Sequence, residues 1–212
     1  MDFLPDLHTL ILYSLACIML FITPGPDMSL WLARTISGGR RGGTAAMLGT
    51  QVGCLCHTVF AAVGLSALLA ASAPAFAAMK IIGALYLLWL AFNAIRSGSA
   101  LNVKAEGKPA GSFWSTFMTG LGINITNPKV VLFFLTFLPQ FVDPTATVPL
   151  WLQFLVLGVF VNLVFSMADM AAVGIASLAL ARFPGSRSGW LVPRTCGSIL
   201  VGLGVALVSH QI

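Results

Sequence analysis

Apolar runs take up almost the whole chain, at about 8–33, 44–70, 74–95, 113–141, 149–181 and 190–209. Each is long enough to cross a bilayer. A segment in lipid must satisfy its backbone polar groups internally, which for runs of this length means helices. Composition closes off the soluble alternative: 58% of the 212 residues are hydrophobic and 8% are charged, whereas a soluble domain carries roughly a quarter of its residues charged. Subtracting the runs leaves no room for a sizeable extramembrane domain. The expected fold class is therefore an all-α membrane protein of six transmembrane helices, forming one membrane domain over 1–212.

Charge sorts the connections between these runs. Arg34, Arg40 and Arg41 lie between the first two, Arg96, Lys104 and Lys108 between the third and fourth, and Arg182, Arg187 and Arg194 between the fifth and sixth. The opposite side holds Asp2, Asp6 and Asp143. Basic loops stay in the cytoplasm, so both termini are expected outside. The net charge of +5 is then an orientation signal rather than a groove for nucleic acid. Trp31, Trp114 and Trp190 are expected near cytoplasmic helix ends and Trp151 near an outer end, with Trp89 deeper. The N-terminal run lacks a basic leader segment and continues past any cleavage site, so it reads as the first membrane helix.

Two breaks interrupt these helices in matching fashion: Ile22-Thr23-Pro24-Gly25-Pro26-Asp27 and Ile125-Thr126-Asn127-Pro128-Lys129. Proline removes an amide donor and frees backbone polar groups. Such groups are tolerated at membrane depth only against protein or a watery cavity. Paired broken helices are the best sequence pointer to a transporter's central site. They also open the two halves, about 1–97 and 112–212, joined by a cytoplasmic loop at about 97–112 containing Gly98, Gly107, Pro109 and Gly111. Lys80-Ile81-Ile82-Gly83 and Arg194-Thr195-Cys196-Gly197 echo each other in the last span of each half. Three spans per half require inverted orientation, so two inverted three-helix repeats are expected, each with its first helix broken at proline.

Asp27, Lys129 and Asp169 are ionisable residues inside apolar spans, where each costs about 2.5–3.5 kcal/mol at the bilayer centre. A bland ion pair is one account of Asp27 and Lys129. The other is a site for a zwitterion, with Asp27 taking an ammonium and Lys129 a carboxylate, flanked by Pro24, Gly25 and Pro26. Lys129 could equally pair with Asp27 in the empty state. Asn124 and Asn127 either satisfy the freed backbone or touch substrate. Asn162, Ser166 and Asp169 follow at helical spacing, with Gly158 and Val173 on the same face. That stripe is either an interhelical hydrogen-bond seam or the track of a proton carrier at Asp169. Gly49 and Gly53 allow close helix approach, which places His57 in a tight seam, held by a carbonyl or serving as a proton relay.

Cys54 and Cys56 point about 200° apart on a helix, and with Cys17 and Cys196 they read as buried small hydrophobes. A metal-cation exporter would have to draw ligands from His57, Cys54, Asp27 and Asp169 on separate spans. A membrane-embedded thiol-redox protein would need paired thiols. No phosphate-cradling loop is present. The expectation is a carrier rather than an enzyme, with no cofactor and no metal.

The chain resembles the LysE/RhtB family of bacterial amino-acid exporters. The likeness is carried by Thr23-Pro24-Gly25-Pro26-Asp27, Gly64-Leu65-Ser66-Ala67-Leu68, Gly83-Ala84-Leu85-Tyr86-Leu87-Leu88-Trp89-Leu90, Asn127-Pro128-Lys129 and Phe137-Leu138-Pro139-Gln140-Phe141. This resemblance implies a six-span protein of the bacterial inner membrane that exports amino acids by proton antiport. Without a second role for Asp169 in holding a basic side chain, a neutral substrate such as leucine, homoserine or threonine is expected. Its partners would be that substrate, protons and lipid.

Overall fold

A computed structural model describes residues 25–72 and 111–182, together with helical positions 11, 13, 14, 17, 74, 75, 77, 78, 81, 82 and 85. Every regular element among the described residues is helical, and two of the helices, or three spans if the bent pair is one, are long and apolar enough to cross a membrane. Pro24, Trp89, Trp190, Cys196, the sixth run and the loop up to residue 110 lie outside the described residues.

Helix α1 runs Pro26–Phe60 with Gly25 as its N-cap and proline in its first turn. It continues through a π segment, Ala61–Leu65, into α2, Ser66–Ala71. The whole apolar stretch Pro26–Leu69 has 44 residues. Drawn straight it would be about 66 Å long, twice the roughly 30 Å of hydrocarbon. It is not straight. Gly39 has φ 62° and ψ −161°, a backbone that residues with a Cβ rarely adopt. A Cβ placed on Gly42 would lie 2.6 Å from the Arg34 carbonyl oxygen, and one on Gly43 would strike the Thr35 hydroxyl. Residues eight apart on a straight helix are about 12 Å apart along the axis, so the chain folds back at Gly39.

This corrects two expectations. The first connection, expected from Arg34 to about residue 43, shrinks to the turn at Gly39, because a glycine of positive φ reverses the chain without a loop. Arg40 and Arg41 remain exposed beside it. Trp31, expected at the interface, is 1% exposed. The helix runs on past it to the turn, so its ring faces the bundle. Trp114 and Trp151 are on the surface, at 67% and 51% exposure.

Ser72 ends α2 and accepts a bond from the Ala75 amide at 3.3 Å, where helical positions resume at Pro74. Helix α3, Phe113–Thr126, opens at Ser112, whose hydroxyl accepts from the Ser115 amide. It breaks at Asn127, and the chain resumes as α4, Pro128–Leu132, followed by a π segment Phe133–Phe137 and a 3₁₀ turn Leu138–Phe141. The two parts are bent by 49°. The expected second break is therefore present. Helix α5, Leu150–Arg182, coincides with the fifth apolar run.

Close packing is built on glycine. A Cβ on Gly49 would meet the Phe117 carbonyl at 2.0 Å, and one on Gly120 the Ala46 carbonyl at 2.3 Å. Gly49 is thus pressed onto the backbone of α3, and Gly53 onto the Asn124 side chain. Gly158 of α5 sits over Thr58 in the same way. Two apolar clusters flank this seam. One gathers Tyr13, Phe133, Phe137, Leu138, Phe154 and Val161, and the other Met28, Trp31, Leu32, Met47, Val173 and Ala176.

Candidate functional site

Between the two clusters lies a cavity of about 50 Å³, lined by Asp27, Met28, Trp31, Thr50, Gln51, Cys54, Asn124, Lys129, Val130, Phe133, Phe165 and Asp169. A water centre needs roughly 10–15 Å³, so the space takes several waters or the head of a small polar solute. The three ionisable residues singled out from the sequence all face it. Its chemistry is two carboxylates and one ammonium inside a largely apolar wall.

The first break supplies Asp27. Gly25 is extended at φ −145° and ψ 178°, Pro26 presets the first helical residue, and Asp27 follows in the first turn of α1. A Cβ on Gly25 would stand 3.1 Å from Lys129 Nζ. The lysine head therefore rests on the bare backbone at the start of α1, and the two breaks meet there. Lys129 comes from the second break, where Asn127 caps α4 by accepting the Lys129 amide on its Oδ1 at 3.0 Å.

Asn124 joins the two sides. Its Nδ2 donates to Asp27 Oδ2 at 2.8 Å. Its Oδ1 lies over Gly53, 2.6 Å from where a Cβ would be. In an unbroken helix the Asn124 carbonyl would accept from residue 128, but proline has no N–H. The carbonyl instead takes the Asn127 amide at 3.1 Å and His57 Nε2 at 3.3 Å. A carbonyl only accepts, so Nε2 carries the proton in that contact. His57 also stacks on Phe134 at 5.6 Å between centroids, and it is not among the residues lining the cavity.

Asp169 is 8% exposed and accepts from Gln51 Nε2 at 2.7 Å. Asn162, about two turns earlier on the same face of α5, donates to the Gln51 carbonyl at 3.0 Å. The stripe of Asn162, Asp169 and Val173 is thus turned inward, with Gly158 at its end, while Ser166 is half-buried. Around the cavity several buried polar atoms have no hydrogen-bond partner among the described residues: Asp27 Oδ1, Gln51 Oε1, Asn124 Oδ1 and Asn127 Nδ2. The Asn127 nitrogen faces Asp27 without making a bond of normal geometry. Unpaired buried groups cost about 1–3 kcal/mol each, so a ligand that pairs them gains affinity.

The structure brings Asp27, Lys129, Asn124 and Asp169, each singled out separately in the sequence, onto one cavity, with Gly25 against the Lys129 head and His57 on the Asn124 carbonyl, while Asn127 is not among the lining residues. Pro26 is exposed in the first turn of α1. Thr50 and Gln51 follow Gly49 directly in the sequence, and nothing in the local pattern signals a partner for either. The aromatic walls Trp31, Phe133 and Phe165 carried no signal, because apolar residues in a membrane helix face lipid or cavity without a change of composition. Among the described residues no three His, Cys, Asp or Glu side chains gather as metal ligands, and Cys17, Cys54 and Cys56 are free thiols.

Comparison of the sequence with known proteins points to a transport family. An uncharacterized membrane protein of Vibrio cholerae is 32% identical over 97% of this chain and 99% of its own. A homoserine/homoserine lactone efflux protein of Salmonella typhi is 30% identical over 94% of this chain and 95% of its own. A leucine efflux protein of Salmonella choleraesuis is 28% identical over 63% of each. No solved structure matches. The model of the LysE type translocator matches residues 18–211, and the chain belongs to that family.

Proposed function

We propose that this protein exports neutral amino acids across the bacterial inner membrane in exchange for protons. It would do so as six spans in two inverted three-helix repeats, with both termini outside. The observation that carries the reading is the meeting of Asp27 and Lys129 on one cavity at the two helix breaks. A zwitterion has an ammonium and a carboxylate a few ångströms apart, and this cavity offers one group of each opposite sign. The free Asp27 Oδ1 takes the ammonium. The carboxylate lies toward Lys129 and the amides at the start of α1, where a helix N-terminus favours negative charge. Met28, Trp31, Phe133 and Phe165 give an apolar wall for the side chain, which suits leucine or the short chain of homoserine better than a second cation. Asn124 holds Asp27 in place, and Asn127 caps the helix that carries Lys129. Pro24 would complete the first break.

The energetics require only one coupled ion. A hundredfold outward gradient needs about 2.8 kcal/mol, at 1.4 per tenfold, and a proton crossing about 150 mV returns about 3.5 kcal/mol. Asp169 is the carboxylate we assign to that proton.

The test is counterflow of labelled L-leucine and L-homoserine in proteoliposomes of wild type, Asp27→Asn and Lys129→Met. Wild type exchanges at least one of the two, and both variants insert but lose most of the exchange. Full exchange in either variant sinks the zwitterion site.

A further inference from the structure

Resting on the export reading above, we propose that Gln51 is the positioning residue that makes proton and substrate occupancy mutually exclusive. The argument starts from the amide's chemistry. A glutamine head has one acceptor oxygen and one donor nitrogen on opposite sides of the same carbon. Here Nε2 donates to Asp169 Oδ2 at 2.7 Å, and Oε1 is buried without a partner among the described residues while Gln51 lines the cavity. An ionised carboxylate accepts on both oxygens and donates from neither, so this orientation suits charged Asp169. In that state the spare group of Gln51 is an acceptor, which complements the ammonium that Asp27 Oδ1 also awaits.

A proton arriving on Asp169 Oδ2 reverses the arrangement. The new O–H needs an acceptor, and Gln51 supplies one by turning its head half a revolution, so Oε1 takes the proton's bond and Nε2 faces the space that Oε1 held. A donor there opposes an ammonium. The backbone cannot follow the turn, because Asn162 Nδ2 holds the Gln51 carbonyl at 3.0 Å and the helix lies against α5. The charged groups facing Asp169 are Asp27 from the start of α1 and Lys129 from α4, with the Cys54 thiol and His57 farther along α1. On the inward-facing side the incoming ammonium selects the acceptor orientation, and the proton leaves Asp169 for the cytoplasm. Outside, the amino acid departs and a proton from that side binds Asp169.

The experiment measures substrate affinity from about pH 5 to 9 on purified full-length protein, using whichever of L-homoserine or L-leucine the wild type exchanges. Wild-type affinity should strengthen on the order of tenfold or more as pH rises, the worth of one hydrogen bond to a charged group. Gln51→Met keeps the volume and loses both amide functions. It should bind as weakly as low-pH wild type throughout, so its curve is flat and converges with wild type at low pH. Gln51→Asn, too short to reach Asp169, should behave likewise. A variant curve parallel to wild type overturns the proposal. If neither variant inserts, wild type decides: ligand binding must release up to one proton per molecule at the acid end, and no release at any pH overturns it. A wild type that exchanges substrate yet ignores pH removes the proton reading itself. Coupling that survives in Gln51→Met removes only Gln51.

Discussion

Asn124 Nδ2 donates to Asp27 Oδ2 at 2.8 Å across 97 residues of sequence, tying the start of α1 to the end of α3. The bond puts one helix break in register with the other, and it leaves the second carboxylate oxygen of Asp27 open to the cavity. Asn124 is 4% exposed, and deleting its donor takes one hydrogen bond from a buried carboxylate. Asn124→Leu should therefore lower stability by about 1.5–3 kcal/mol, the cost of a hydrogen bond to a charged group. Thermal unfolding in detergent reads this as a lower Tm, and an unchanged Tm counts against the tie.

Gly53 is where α1 makes room for that asparagine. A Cβ there would be 2.6 Å from Asn124 Oδ1 and 2.8 Å from its Cβ, and the near end of a side chain cannot swing aside. Gly53→Ala should push α3 off α1 and cost about 1–3 kcal/mol, as overpacked cores do. Gly122, over which a Cβ would meet nothing within 4 Å, is the control, and Gly122→Ala should leave the Tm within a degree or two of wild type.

Much of this was readable beforehand because charge and proline are scarce in membrane helices. Asp27, Lys129 and Asp169 each carry a cost in lipid, so their presence announces an interior, and Pro128 announces freed carbonyls. The helix boundaries at Gly39 and the placement of Trp31 were not readable. A turn of one positive-φ glycine leaves no polar loop in the sequence. A tryptophan near a basic cluster looks the same whether it faces lipid headgroups or a cavity. Gln51 was hidden for another reason: its role depends on a partner 118 residues away, and no local pattern encodes that distance.

His57 supplies the donor that Pro128 withholds from the Asn124 carbonyl. His57→Leu keeps the bulk against Phe134 and deletes the donor, so it should cost about 1–3 kcal/mol. His57→Gln, which can still donate, should recover part of that loss. The pair of Tm values checks this. Equal values would mean that stacking rather than the carbonyl contact matters.

Gly25 has an extended backbone that any residue can adopt, so replacing it tests space and not strain. Gly25→Ala brings a methyl to 3.1 Å from Lys129 Nζ, and the flexible lysine end must give way by a few tenths of an ångström. We expect normal insertion and a KM for export raised about three- to tenfold, within the 1.4 kcal/mol that a factor of ten represents. Gly25→Val should raise it further. A KM unchanged in both would detach the Lys129 head from substrate.

The loop between the 3₁₀ turn and α5 offers a test of orientation and of pH together. Asp143 Oδ1 accepts from the Thr145 hydroxyl at 2.7 Å and the Thr145 amide at 2.8 Å. These bonds hold its carboxyl below the usual carboxylate range. A carboxylate whose folded pKa is depressed contributes its order above the unfolded value, near 3.9, and loses it as pH falls through the folded one. The loop should thus stay ordered from pH 5 to 8 and loosen only below about pH 4. A spin label on Ala146→Cys, whose amide lies 3.4 Å from the Asp143 carbonyl, should show mobility constant over that range and rising in acid. The same cysteine should react with a membrane-impermeant maleimide in intact cells, whereas Arg40→Cys, beside the Gly39 turn, should react only after permeabilisation. The reverse labelling would turn the protein over in the membrane and, with it, the direction in which Asp169 meets its proton.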